Sequence, residues 1–424
     1  YLLAGAYFSI TLIPLLAEYF DRDRDDGWRL FSAVFTWIGI VISLLTGTAM
    51  VLAPQLAHLA APGLAPEALA RLAFFLRLIL PAQVFFLLGS CLTAVLFLRR
   101  QFVVPGLTPL VYNGMIIVGG VLLQRRGMEG FCWGVLAGAF LGNFALPYLA
   151  VRLGDGLRLE FRLTHPGLRR FWILALPLML GQSIAVLDEQ LLRVFGSMAG
   201  TGAISWLSYA RRLMMVPVGV VAQAAGVASY PFMAELAAKR DFERLHGTVN
   251  TALRNLLTLL IPLSVWMMVV AEPTVRLIFQ QGHFAAADTA STARLLQILL
   301  AVVFCWGLHQ LVGRAFYARQ DTISPAVIGT AVTLACVPLY WLLTKRWQAA
   351  GVAAASAASI ALYTAVLGWW WARRFGRAVF AGLAVAGLKL LALAVLAALP
   401  AAVLVRLEPA WLGGHPYVGA VLAI

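Results

Sequence analysis

The sequence predicts an all-α polytopic membrane protein, and three observations predict it. Hydrophobic residues make up 62% of the 424 and charged ones only 12%, too few polar side chains to cover a water-exposed surface of this size. The apolar residues gather in runs long enough to cross a bilayer as a helix, which takes about 20 residues. These runs lack the apolar–polar alternation of membrane strands, so the backbone has to be satisfied within helices. Finally, Lys and Arg collect in every second connection between runs, as the positive-inside rule expects of a multi-pass chain.

Thirteen apolar segments follow in order, at 1–20, 29–60, 71–98, 104–124, 128–151, 171–196, 202–236, 247–279, 290–318, 323–344, 349–372, 378–405 and an incomplete one from 415. The basic connections hold Arg22, Arg24 and Arg29; Arg99 and Arg100; Arg152, Arg158, Arg162, Arg169 and Arg170; Lys239, Arg240 and Arg244; Arg319; and Arg373, Arg374 and Arg377. Those sides face the cytoplasm, and segment one then runs from outside to inside. A chain starting in the cytoplasm needs one more helix before residue 1, so a first helix is expected to be missing and the last one to be cut short. The net charge of +14 is accounted for by these connections, and nucleic acid is not an expected partner. Cys91, Cys132, Cys305 and Cys336 lie within apolar runs without CxxC spacing and read as small hydrophobes. "DRDRDD" at 21–26 interleaves its carboxylates with arginines and fits no calcium loop, so it reads as a solvated turn and no metal is expected.

The chain also repeats itself. "PLLAE" at 14–18 recurs as "PFMAE" at 231–235, an offset of 231 − 14 = 217. Pro54 answers Pro273, Pro105 in "RQFVVPG" answers Pro325 in "RQDTISP", and Gly130 answers Gly351, at offsets of 219, 220 and 221. Partners fall on the same predicted side of the membrane, as in two copies related by an axis along the membrane normal. The expected organisation is an N-terminal lobe at 1–152 lacking its first helix, a cytoplasmic linker at 153–170, a homologous lobe at 171–375, and additional helices at 376–424. Two six-helix lobes around a central cavity are the architecture of an alternating-access transporter. The helices outside the repeat are expected to add a groove or a partner surface.

Ionisable side chains inside apolar runs mark candidate sites, because charge at membrane depth is costly and needs a cavity or a partner. Arg211 and Arg212 lie about ten residues, or about 15 Å, into segment seven. Adjacent helical residues point about 100° apart, so the two cannot face one narrow cleft together. Arg212 is the expected cavity residue, its guanidinium offering paired donors to phosphate oxygens. An internal ion pair with Asp188 or Glu189 is the competing reading. Asp188, Glu189 and Arg193 are candidates for cargo binding or gating, with a bond from Asp188 to segment seven expected. Arg77, Arg254 and Arg294 lie nearer helix ends, where snorkelling to headgroups competes with lining a cavity. His309 reads as a packed polar residue and Lys389 as a contact for a lipid phosphate. Glu18 and Glu235 are expected at the inner mouth, bonding the opposite lobe or facing water.

The stretch "ISWLSYARRLMMVPVGVVAQAAGVASYPFMAEL" at 204–236 resembles the MurJ/MviN family of lipid II flippases, within the multidrug/oligosaccharidyl-lipid/polysaccharide exporter superfamily. Ser205, Tyr209, Ala210, Arg212, Leu213, Pro217, Gly219, Pro231 and Ala234 match the family pattern. "QQGHF" at 280–284, "AFYARQDTISP" at 315–325 and "LIPLLAEY" at 12–19 look like the family's as well. The resemblance covers essentially the whole chain. It implies fourteen helices in a bacterial inner membrane and a cargo of undecaprenyl-pyrophosphate-linked peptidoglycan precursor moved to the periplasmic leaflet. It also implies membrane lipids and cell-wall synthesis proteins as partners, a monomer, and no covalent catalysis. Arg211, Met215 and Gly5 stand where family members often carry acidic residues. No Gly-rich nucleotide loop is present, so no cofactor is expected, and membrane potential or a coupling ion is the expected drive. Another lipid-linked polysaccharide as cargo and a cation-coupled multidrug exporter are the alternatives.

Overall fold

The internal repeat predicts paired elements, and the computed structural model contains them. It describes residues 7–155, 159–181, 183–319, 321 and 323–406, and every regular element among these is helical. Gly5, Arg158 and the apolar run from 415 lie outside the described residues. The chain divides into two units, Tyr1–Val186 and Leu187–Ile424.

The first unit contains α1 (Tyr7–Arg22), α2 (Arg24–Val51), α3 (Ala53–Ala60), α4 (Pro66–Ile79), α5 (Ala82–Leu98), α6 (Val103–Leu122), α7 (Met128–Gly138), α8 (Leu146–Asp155) and α9 (Pro166–Gly181). A π-helical stretch, Ala139–Ala145, joins α7 to α8. The core lies where α1, α2 and α5 meet α9. Leu12, Leu16, Leu30, Phe31, Leu92 and Phe171 are fully buried there. The linker is held to this core through Asp26 and Trp37. His165 Nε2 lies 3.2 Å from Asp26 Oδ1, and Trp37 Nε1 donates to Leu163 O at 2.8 Å.

The second unit starts in the second turn of α10 (Ser183–Met198). It continues through α11 (Ala203–Pro217), α12 (Gln223–Ala238), α13 (Phe242–Val269), α14 (Ala271–Phe279), α15 (Ala286–Leu300), α16 (Val303–Ala318), α17 (Ile323–Ala335), α18 (Val337–Phe375) and α19 (Leu383–Arg406). Its core includes the fully buried Phe316, Tyr340 and Trp371, with the rings of Phe316 and Trp371 edge to face at 4.9 Å.

The copies correspond element by element. α2 and α13 are each 28 residues long, and each starts on an aspartate cap. Asp23 Oδ1 accepts from the Asp25 N–H at 3.0 Å, and Asp241 Oδ1 from the Arg244 N–H at 3.2 Å. The caps are 241 − 23 = 218 residues apart and each satisfies a donor the helix leaves open. One non-helical residue follows in both, Leu52 and Val270, and then a short helix carrying Pro54 or Pro273. α4 and α5 answer α15 and α16. The first break holds Pro81, whereas the second keeps a 43° bend at Ala301–Val302 without a proline.

Gly130 and Gly351 both sit where the chain passes close to a neighbouring backbone. A Cβ at Gly130 would lie 2.8 Å from Gly119 O, and one at Gly351 1.9 Å from Leu343 O, so only glycine permits these approaches.

Among the described residues, seven helices are long and apolar enough to cross a membrane, or eight when the bent pair α15–α16 is taken as one span. The thirteen segments expected from the sequence exceed this because several are interrupted and the one from 415 lies outside the described residues. Segment seven divides at Pro217, which has no N–H to continue the ladder, and a π-helical stretch Val218–Ala222 takes up the break. Segments ten and eleven run together as 323–375, turning at the non-helical Gln348. That turn falls in the gap expected between 344 and 349.

Candidate functional site

Helix α11 carries the adjacent pair Arg211 and Arg212, and the second unit treats them differently. Arg211 Nη1 donates to Asp188 Oδ2 at 2.5 Å. Tyr340 OH donates to Asp188 Oδ1 at 2.7 Å, and Ser356 Oγ donates to the same oxygen at 3.0 Å. The guanidinium of Arg211 also lies 5.1 Å from the centre of the Trp306 ring. Both members of the ion pair are nearly enclosed, with side chains 13% and 8% exposed. A carboxylate at this depth is tolerable because one cation and two hydroxyl donors surround it. The network joins α10, α11, α16 and both halves of α18, and it fixes α11 about its own axis.

With Arg211 turned inward, Arg212 points about 100° away and stays exposed. It makes no ion pair with any other described residue, and its guanidinium lies 5.9 Å from the Tyr209 ring centre. A cleft of about 360 Å³ opens beside it, lined by Glu189, Arg193, Ser208, Arg211, Arg212 and Met215 among others. Glu189 and Arg193 bond each other one turn apart on α10, so their charges cancel at the cleft wall. Ser205 lies exposed seven residues before Arg212, which places it on the same face of α11.

The structure thus gathers Asp188, Glu189, Arg193, Ser205, Arg211 and Arg212 on two neighbouring helices and leaves one guanidinium unpaired. Tyr340, Ser356 and Trp306 complete the buried network, and nothing in the sequence singles them out. The two hydroxyls come from 152 and 168 residues away, and no local pattern distinguishes them from other polar residues in apolar runs.

The remaining candidates lie elsewhere. Arg77 Nε donates to Met50 O at 3.1 Å and covers a carbonyl at the end of α2. Glu18 pairs with Arg22 at 3.0 Å and accepts from Arg170 Nη1 at 2.8 Å. Glu235 accepts from Lys239 at 2.5 Å, a bond that holds the exposed lysine above the usual lysine pKa. Arg254 donates to Ala381 O at 2.8 Å, while Arg294 and Lys389 are exposed. His309 Nδ1 donates to Cys305 O at 3.2 Å and packs between Trp306 and Tyr363. Outside the repeat, α19 packs along α13 and borders an apolar groove of about 1150 Å³.

A family profile described as "Lipid II flippase MurJ" matches residues 1–418. The chain belongs to the MurJ family of lipid II flippases. A probable lipid II flippase MurJ of Rhizobium meliloti (strain 1021) is 27% identical over 366 residues, covering 84% of this chain and 68% of that protein. One from Haemophilus influenzae is 26% identical over 382 residues, covering 85% and 74%. Among solved structures, a lipid II flippase MurJ in an inward closed conformation superposes with a TM-score of 0.76 at 19% identity, over 99% of this chain and 90% of that one. An inward-facing multidrug resistance transporter of the MATE family reaches 0.75 at 15% identity, over 89% and 88%. The fold is therefore that of MurJ and MATE transporters, and the chain is a multi-pass membrane protein. Of the two adjacent arginines on α11, Arg212 is the one left exposed without an ion pair to a described residue. Arg211 is held by Asp188.

Proposed function

We propose that this chain is a flippase that moves an undecaprenyl-pyrophosphate-linked glycan, the peptidoglycan precursor lipid II, from the cytoplasmic to the periplasmic leaflet of a bacterial inner membrane. Family membership supports the cargo class. The observation that carries the site is Arg212, an exposed guanidinium with no ion pair, beside a cleft on a helix whose other arginine is locked inward. An unpaired guanidinium binds a pyrophosphate by charge and by parallel N–H···O bonds. Ser205, on the same face, offers a further donor.

The cycle is alternating access. The headgroup site opens to the cytoplasmic leaflet, receives the pyrophosphate, and then opens to the opposite side. No bond of the cargo is made or broken. The apolar groove beside α19 suits the prenyl tail, which has to stay out of water while its headgroup crosses. A cation exporter would favour an uncompensated carboxylate, whereas Asp188 is already neutralised by Arg211.

The test is Arg212→Ala in the intact protein, reconstituted in vesicles with a fluorescent lipid II analogue. Flipping is expected to fall by more than about tenfold, the loss typical of removing one charge-assisted contact, with expression and melting temperature unchanged. Flipping at the normal rate in that variant removes Arg212 from the site.

A further inference from the structure

A second cleft lies on another face of the second unit, away from Arg212. Its volume is about 740 Å³, and its walls include Leu308 and Val312 of α16, Ala365, Gly368 and Trp369 of α18, and Phe380 in the elbow between α18 and α19. Thr364, the hydroxyl residue in this wall, has its side chain turned to the backbone, donating to Ile360 O at 2.8 Å and Cys305 O at 3.1 Å. The interior is thus apolar.

The rim is basic. Arg377, in the elbow after α18, lines the mouth, and Arg373, in the last turn of α18, has its guanidinium 5.2 Å from the ring centre of Trp369, itself a wall residue. Neither makes an ion pair with a described residue. Their basic neighbours are already engaged. Arg374 donates to Asp321 Oδ2 at 2.6 Å. Arg319 stacks between the rings of Phe242 and Phe375, at 4.2 and 3.9 Å, where burial with Arg374 nearby holds its pKa below the usual guanidinium value.

The elbow that carries Arg377 is built rather than loose. Gly376 and Gly382 turn it with φ of 100° and 68°. Asn250 Nδ2 donates to Val379 O at 2.6 Å, and Arg254 Nη2 to Ala381 O at 2.8 Å, so α13 fixes its position. Charge and aromatics agree on its depth. The positive-inside rule assigns the arginines to a cytoplasmic connection, and Trp369 and Trp370 are 53% and 39% exposed, as interfacial residues are.

We propose that this cleft is a binding site for an anionic phospholipid of the cytoplasmic leaflet, with the phosphate on Arg373 and Arg377 and one acyl chain between α16 and α18. An apolar slot ending in two uncompensated guanidiniums at the headgroup level is complementary to such a lipid, and basic pockets between membrane helices on that side bind anionic headgroups. A zwitterionic lipid offers the same tail with no net charge and lacks that complement.

The experiment uses the intact protein in a neutral detergent, titrated with phosphatidylglycerol or phosphatidylcholine of matched acyl chains and read by native mass spectrometry. Phosphatidylglycerol is expected to bind wild type roughly thirtyfold more tightly than an Arg373→Gln/Arg377→Gln variant, the loss from two surface-level cations. Phosphatidylcholine is expected to bind both alike. Ala365→Trp, which fills the slot and keeps both arginines, is expected to lose phosphatidylglycerol as well. Equal binding of the two lipids to wild type, unchanged binding in the double variant, or unchanged binding in Ala365→Trp each overturns the site. So does a disulfide between cysteines introduced at Ala365 and Val418, because the chain's own last segment then occupies the slot.

Discussion

Arg211 and Arg212 differ by one position and about 100° of helix, and that rotation puts one in a buried ion pair and leaves the other exposed. Removing one partner of a buried ion pair leaves the other charge uncompensated, at a cost of about 3–5 kcal/mol. Asp188→Ala and Arg211→Ala are therefore expected to lower the melting temperature strongly, while Arg212→Ala leaves it in place. Tyr340→Phe removes one donor from Asp188 and is expected to cost about 1–3 kcal/mol. Thermal unfolding of the four variants in one detergent checks the order. Equal melting temperatures for Arg211→Ala and Arg212→Ala contradict the assignment. At this scale the sequence was legible where partners were charged. A bond from Asp188 to segment seven follows from the cost of a lone charge at membrane depth. Tyr340 and Ser356 did not follow, because a hydroxyl in an apolar run is equally stable bonded to its own helix, as Ser208 is to Ile204 O.

The elements show the duplication where residue identity has drifted. Between α6 and α7 the chain turns through Gly127 at φ 58°, ψ −128°. At the equivalent point, 348 − 127 = 221 residues on, Gln348 adopts φ 50°, ψ −129°. Glycine takes this conformation freely, whereas a side chain there is strained by about 1–2 kcal/mol. Gln348→Gly is therefore expected to raise the stability of the second unit by about 1 kcal/mol, and Gly127→Gln to lower that of the first. Hydrogen exchange resolved by segment distinguishes the two. No gain at 337–375 in Gln348→Gly argues against strain at this turn. The sequence placed the turn within a gap of a few residues and aligned Gly130 with Gly351. It did not reveal that the turn itself had lost its glycine, because the repeat is visible only where residues were kept. It also did not place the breaks inside segments seven and nine. Pro217 signals the first, but the bend at Ala301–Val302 has no proline or glycine to announce it.

Across the whole molecule, the two units repeat their charge as well as their helices. Glu18 pairs with Arg22 and Glu235 with Lys239, each four residues on and each 217 apart between copies. In both copies the repeated glutamate is thus neutralised by a cation one turn on along its own helix. On the proposed lipid-linked cargo, whose pyrophosphate carries two charges, the membrane potential is the expected direct drive. Moving two negative charges outward across 100 mV, inside negative, releases roughly 4.6 kcal/mol, at about 2.3 per charge. That shifts the distribution of cargo between leaflets by roughly three orders of magnitude. In vesicles of uniform protein orientation, an imposed potassium diffusion potential negative on the cytoplasmic side is expected to speed outward flipping, and the reverse potential to slow it. Replacing sodium by potassium or choline at constant potential is expected to change nothing, because the buried carboxylate of the second unit already holds a guanidinium in place of a mobile cation. A rate that ignores voltage but follows sodium removes the direct drive and points to an ion-coupled cycle. Voltage sensitivity that persists in Arg373→Gln/Arg377→Gln and vanishes with a cargo analogue of lower charge identifies the cargo itself as the group that senses the field.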